Sequence, residues 1–159
     1  MAEAEMFLMG SYPMTVDAKA RVTLPSDFRR QLVPEGASKT IVLVPFQGHV
    51  NGFTLEGFKT WLKNLFDHGT EAFNPRRQSD AELKRGILGA VTKVDLDSAG
   101  RLALGKLDAS RQGTRERLGL LGDVVVTGQE DHFEVWNADK WNASQVAFEA
   151  DIDALLYGE

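Results

Sequence analysis

The sequence predicts a mainly β fold with helices (α+β), assembled from two tandem copies of one small unit. The strongest support is an internal repeat. Asp17-Ala18-Lys19-Ala20-Arg21-Val22-Thr23-Leu24 matches Asp97-Ser98-Ala99-Gly100-Arg101-Leu102-Ala103-Leu104 at an offset of 80 residues. The same offset pairs Phe53 with Phe133, Leu55 with Val135 and Trp61 with Trp141. Between these anchors Ile41-Val42-Leu43-Val44 corresponds to Val124-Val125-Val126-Thr127 at an offset of 83, which compensating insertions would reconcile. Finally, the apolar segments are short and rich in β-branched residues, the pattern of strands, with helical periodicity following each copy.

Each copy opens with a short strand (residues 14–16 and 92–96) that enters a tight turn at Asp-x-x-[Ala/Gly]-Arg. Gly100 supplies the positive φ that hairpin turns often need. An alternating strand follows (21–24 and 101–104), then an irregular or helical piece, a β-branched strand (41–44 and 124–127) and a short partner strand (52–55 and 132–136). Four short strands are too few to enclose a sizeable core, so the copies are expected to pack together by exchanging strands. Phe58, Trp61, Leu62, Leu65 and Phe66 then follow the i, i+3, i+4, i+7, i+8 spacing of an amphipathic helix ending near Gly69. Asn74-Pro75 marks a break, and Leu83 and Ile87 mark a second helix. A third runs from the N-cap candidate Asn137 through Trp141, Phe148, Ile152 and Leu155 to Gly158. Such helices bury the sheet or a subunit boundary. The expected division is a first unit at 11–58, a helical linker at 59–89, a second unit at 90–138 and a C-terminal helix at 139–159.

Composition narrows the function classes. The 159 residues include no cysteine, so disulfides and thiolate metal sites are excluded. The opening Met-Ala-Glu-Ala-Glu is acidic where a secretory leader is basic, and no stretch approaches 18 apolar residues, so a cytoplasmic protein without a membrane partner is expected. A net charge of −5 argues at first against nucleic acid, but the charge is unevenly placed. Residues 1–122 hold 17 Lys/Arg against 14 Asp/Glu, whereas 123–159 hold one Lys against nine acids. Basic residues gather at 11–30 and 100–118, and screening over about 8–10 Å lets such local surfaces meet phosphate on an acidic chain. Enzymatic chemistry finds little support. Alternation in Lys93-Val94-Asp95-Leu96-Asp97 puts two carboxylates on one strand face, yet no nucleophile–base set, glycine-rich phosphate loop or metal cluster accompanies them. His49, His68 and His132 lie in expected loops without ligand spacing. No catalytic residue, metal, cofactor or small-molecule substrate is therefore expected.

Phe7, Gly10, Tyr12, Asp17-Ala18-Lys19-Ala20-Arg21, Leu24-Pro25 and Phe28-Arg29 resemble the opening of MraZ proteins. Asn74-Pro75, Leu88-Gly89, Asp97-Ser98-Ala99-Gly100-Arg101, Gly128 and Phe133-Glu134-Val135-Trp136 look like that family's second half. The resemblance runs from residue 6 to about 145. It implies an AbrB-like fold in which two SpoVT-AbrB-type swapped-hairpin units form a small β-barrel. It also implies a closed-ring homo-oligomer, nucleoid-associated, that regulates transcription by binding short DNA repeats upstream of the division and cell-wall gene cluster, its own gene included. Departures stand out in both copies. Ala20 occupies a position usually Gly, at a cost of roughly 1–2 kcal/mol if the backbone is left-handed there. Ala99 replaces a frequent Lys, and Gly105 stands where the first copy has Pro25.

Arg21 and Arg101 each follow a tight turn, so a guanidinium fork could meet phosphate or guanine O6/N7, with Lys19 adding a compact charge for phosphate. Asp17 and Asp97 would be repelled by phosphate and are assigned to closing the turn or orienting the Arg. The alternative is an Asp–Arg pair that only holds each hairpin. Arg29 and Arg30 are secondary basic candidates; Arg76, Arg77, Lys84 and Arg85 are weaker ones. Trp61, Trp141 and Phe133 are expected as core or interface anchors. The competing function is an antitoxin-like or scaffold oligomer acting through protein–protein contacts.

Overall fold

The runs Thr40–Phe46 and Asp123–Gly128 carry apolar residues on both faces, so strands built from them must be covered on both sides. The computed structural model describes residues 5–67, 74 and 77–158 and shows how. In chain order the elements are β1 (Ser11–Thr15), β2 (Arg21–Thr23), α1 (Ser26–Leu32), β3 (Thr40–Phe46), β4 (His49–Phe53), α2 (Leu55–Phe66), α3 (Gln78–Gly89), β5 (Thr92–Asp95), β6 (Arg101–Ala103), α4 (Gly105–Ser110), α5 (Thr114–Leu118), β7 (Asp123–Gly128), β8 (Phe133–Asn137) and α6 (Ala138–Tyr157). Gly69, Pro75, His68 and Arg76 lie outside the described residues.

Six strands form one antiparallel sheet in the order β1-β7-β8-β4-β3-β5, and β2 pairs with β6 in a separate ribbon. Among the described residues the sheet is open, with β1 and β5 at its edges; Pro13 on β1 helps keep that edge from recruiting another strand. Only β3–β4 and β7–β8 are pairings within a copy. The other four ladders, β1–β7, β2–β6, β3–β5 and β4–β8, join one copy to the other. The shortage of strands per copy is thus met by exchange. This corrects the expected local hairpin at each Asp-x-x-x-Arg: the chain does turn there, but the flanking strands pair with the other copy.

The registers reveal an internal two-fold. In the ribbon Arg21 faces Ala103 and Thr23 faces Arg101, so the axis passes through the Val22–Leu102 pair. In the sheet Val50 faces Val135 and Gly52 faces Phe133, so it passes through Asn51–Glu134. The early strands obey the offset of 80, but the later ones keep 83 to the end: Thr54 and Asn137 are the equivalent N-caps, accepting from the Gly57 and Lys140 N–H groups. The pairings of Phe53 with Phe133 and Trp61 with Trp141 are therefore corrected, by about one helical turn. No compensating insertion restores the first offset.

Val22, Leu24, Phe28, Ile41, Leu43, Leu102, Leu104, Val126 and Phe133 join one core between ribbon and sheet. On the other face Val42, Val44 and Phe53 pack with Phe58 of α2 and Ile87 of α3. Gly52 is required here, since a Cβ on it would overlap the Phe133 ring across the strand pair. The segment before β1 is bound in by Leu8–Glu130 backbone hydrogen bonds of 2.8 and 2.7 Å. By contrast α6 has no buried residue, and near its start Trp141 meets Trp136 edge to face. With no buried residue it does not fill the first of its two expected roles, burying the sheet or a subunit boundary.

Candidate nucleic-acid interface

Each Asp-x-x-x-Arg segment folds as the same closed turn. The Ala20 N–H donates to the Asp17 carbonyl and the Asp17 N–H to the Arg21 carbonyl, both at 2.9 Å. Gly100 and Asp97 repeat the pattern at 2.9 and 3.2 Å. Both turns place their fourth residue in the left-handed region, Ala20 at φ 62° and Gly100 at φ 78°. The Asp side chain completes the turn. Asp17 Oδ1 accepts the Lys19 and Arg21 N–H groups and Oδ2 accepts the Arg21 Nε–H, all at 2.9 Å. Asp97 Oδ1 accepts the Ala99 and Arg101 N–H groups at 2.9 Å, and Oδ2 accepts Arg101 Nε–H at 2.7 Å. Both carboxyls are held below their ordinary pKa, first by the backbone N–H of the Arg, against some desolvation, and then by its side chain.

Closing the turn and orienting the arginine are here one arrangement, because the two carboxylate oxygens divide the tasks. Only the ε nitrogen of each guanidinium is committed to the Asp, and the η ends make no hydrogen bond to another described residue. The side chains keep 27% and 34% of their surface exposed, so neither is shielded from a ligand.

The ribbon decides where these groups point. Val22 and Leu102 are buried, so period-2 alternation places Arg21, Thr23, Arg101 and Ala103 on the opposite, outward face. Arg21 and Arg101 are diagonal neighbours across the ladder, roughly 7–8 Å apart at the backbone. The guanidinium groups thus lie along one ribbon face, with the two turns at its opposite ends, rather than at two separate hairpin tips. Lys19 is exposed on the first turn.

The surroundings of the turns differ. The Arg29 side chain from α1 lies over Gly100, and a Cβ there would collide with it. The first turn has no such cover: Gly105 of α4 faces Ala20, its N–H donating to the Ala20 carbonyl at 3.3 Å. Arg29 is thereby brought to the second copy's turn, which only the strand exchange could reveal. Arg30 is exposed and paired with Asp27 at 3.3 Å, and Arg77 pairs with Asp80 at 3.6 Å. In the second basic stretch, Arg115 is held internally by Asp108, through its backbone N–H and Nε at 2.9 Å.

The carboxylate pair Asp95 and Asp97 separates: β5 ends at Asp95, which accepts from Thr40 Oγ1 at 2.8 Å, while Asp97 opens the turn. Two histidines that looked scattered meet at the internal axis. His132 and His49 each place Nε2 3.3 Å from Glu134 Oε2, and the Trp136 indole donates to Oε1 at 2.8 Å. Burial pushes the Glu134 carboxyl up, but His132, His49 and Trp136 together hold it well below the carboxylate range; the His132 ring is raised by Glu134 and Asp131 despite its own burial. His49 is buried and both ring nitrogens lie outside hydrogen-bond geometry. Among the described residues no group of three or more His, Asp or Glu is arranged to hold a metal, and no helix is long and apolar enough to cross a membrane.

Known proteins match the chain along most of its length. The family described as "MraZ protein, putative antitoxin-like" matches residues 87–154. A "Transcriptional regulator MraZ" of Spiroplasma kunkelii is 30% identical over 139 residues, covering 86% of this chain and 85% of that one. The protein of the same name from Ligilactobacillus salivarius is 28% identical over 147 residues, 92% of each chain. That of Escherichia coli O9:H4 is 23% identical over 150 residues, 94% of this chain and 91% of the relative. Identity at this level across nearly the full length of both chains shows that the chain belongs to the MraZ family.

Proposed function

We propose that the chain is a sequence-specific DNA-binding transcriptional regulator that reads duplex DNA with the outward face of the β2–β6 ribbon. The observation that carries this is the convergence of one aspartate-braced guanidinium from each copy on that single face. A two-stranded ribbon with three residues per strand is about 10 Å long and fits a major groove about 12 Å wide. Arg21 and Arg101 then contact base edges or phosphates, Lys19 and Arg29 contact phosphates, and Asp17 and Asp97 act as positioning residues. The names of the relatives support the regulatory role.

The finer reading follows the family. The units at 11–58 and 90–138 act as one body, with ribbon and sheet as its swapped-hairpin barrel. Exposed Val146, Phe148, Leu155 and Leu156 on α6 favour self-association, consistent with a homo-oligomeric ring displaying several ribbons to repeated sites. The cytoplasm and nucleoid are where such a protein works, and the division and cell-wall cluster, with its own gene, is the target.

The test is a gel shift on DNA upstream of this gene, titrated with salt. Arg21→Ala/Arg101→Ala should abolish the specific shift and lower the log–log salt slope by about two units, one per lost cation. A double variant that shifts this DNA at wild-type affinity and slope would refute the ribbon as the reader. A protein–protein scaffold would instead show no salt-dependent DNA binding at all.

A further inference from the structure

On another part of the surface, α3, α4 and α5 line a half-open cavity of about 470 Å³ to which three exposed arginines contribute, Arg85, Arg111 and Arg117. Among the described residues no acidic one lines it. Its volume lies in the range of small-molecule sites, about 300–1,000 Å³. Among the described residues Arg85 and Arg111 have no ion pair or side-chain hydrogen bond. Arg117 is fixed from behind: Nη1 donates to the Gln112 carbonyl and Nη2 to Thr114 Oγ1, both at 3.1 Å. The Thr114 hydroxyl donates to the Arg111 carbonyl at 2.6 Å, which leaves its oxygen as the acceptor for Arg117. The Thr92 and Ser110 hydroxyls lie 2.8 Å apart, and only one of their two protons is used between them.

A second, independent feature lies on the α3 wall. Gly86 and Gly89 sit inside or at the end of a helix, where each glycine costs about 1 kcal/mol relative to alanine. Neither is needed for packing, since a Cβ on either would meet nothing within 4 Å. Small residues that no neighbour demands keep this wall of the cavity open. Leu107, Pro45 and Ala90 add apolar surface beside the cations.

We propose that this cavity binds a small phosphate ester, with the phosphoryl group held by the three guanidinium groups and the Ser110 hydroxyl, and the organic part against the apolar wall. A phosphate monoester carries about −1.5 to −2 charge and three terminal oxygens, which suits three planar forks better than a single carboxylate does. The site also touches the machinery of the second turn: Thr92 starts β5, which runs into Asp97, and Ser110 ends α4, which leaves β6. An occupant would brace α3 against both. Ligand binding itself stands apart from whether the ribbon reads DNA.

Calorimetric titration of the full chain in low-salt buffer tests this, with adenosine 5′-monophosphate and glucose 6-phosphate as probes and adenosine and glucose as phosphate-free controls. At least one ester should bind saturably, and neither control should. Arg85→Gln/Arg111→Gln should weaken that ester by about tenfold or more. Gly86→Leu, which fills the cavity without removing charge, should do the same while leaving the unliganded melting temperature unchanged or raised. Absence of binding by both esters, or equal binding by wild type and both variants, overturns the proposal. So does a third result, in which the double Gln variant loses affinity only for a short DNA duplex, because the cavity would then be part of the nucleic-acid surface.

Discussion

The turn at Asp17–Arg21 and the turn at Asp97–Arg101 share every backbone and carboxylate hydrogen bond, yet they differ in what surrounds them. The first carries a methyl group in a left-handed conformation and faces a glycine from the other copy. The second has glycine at that place and is covered by an arginine from the other copy. The polar frame that aims each guanidinium is therefore independent of the packing around it. What varies is the neighbour: Gly105 packs on Ala20 in the first turn, while Arg29 covers Gly100 in the second and gives it an additional cation.

The largest effect should come from breaking the shared frame. Asp17→Ala or Asp97→Ala strips three donors of their acceptor at once, so each should cost DNA affinity as much as losing the arginine, about 1–3 kcal/mol in a binding titration. If one aspartate proves dispensable while the other does not, the frames are not equivalent. Next, Gly100→Ala should cost about 1–2 kcal/mol of stability from the left-handed backbone, and more because the new methyl meets Arg29. In an Arg29→Ala background the excess should vanish, a coupling that chemical denaturation of the four variants would measure. Ala20→Gly, the reciprocal change, should stabilise by less than about 1 kcal/mol, as relief of strain is offset by added freedom in the unfolded chain.

Arg29→Ala alone should leave folding nearly untouched and lower the salt slope of DNA binding by about one unit. Smallest in effect is the pH dependence. Both Asp carboxyls are depressed, so their contribution is complete above the ordinary carboxylate pKa and is lost only as pH falls through the lowered folded values. Carbon-detected NMR titration should show both turns intact down through the ordinary Asp range. Asp17→Asn should remove the acid limb from its own turn only.

Much of this was legible in the sequence because it resides in residue identity. An Asp four residues before an Arg pointed to a closed turn or an oriented guanidinium, and the family's usual Gly at the place of Ala20 raised a left-handed backbone there as a condition. Short apolar runs foretold exchange between copies. What could not be read was placement that depends on that exchange. Arg29 lies 71 positions before Gly100, and nothing local joins them. His49 and Glu134 meet because β4 and β8 happen to be neighbours across the axis. The tryptophans misled for a physical reason: Trp61 and Trp141 both suit a helix lying against a strand pair, and a shift of three positions keeps a side chain near the same helix face.

The internal two-fold of the β2–β6 ribbon has a consequence for evolution. Two identical subunits sharing a dyad are bound to read an inverted repeat, because every substitution arrives in both halves at once. Here the dyad lies within one polypeptide, so a change such as the methyl at Ala20 has no twin. On the proposed reading of DNA by this ribbon, each half can drift toward its own bases, and the sequence that one ribbon recognises is released from being a palindrome.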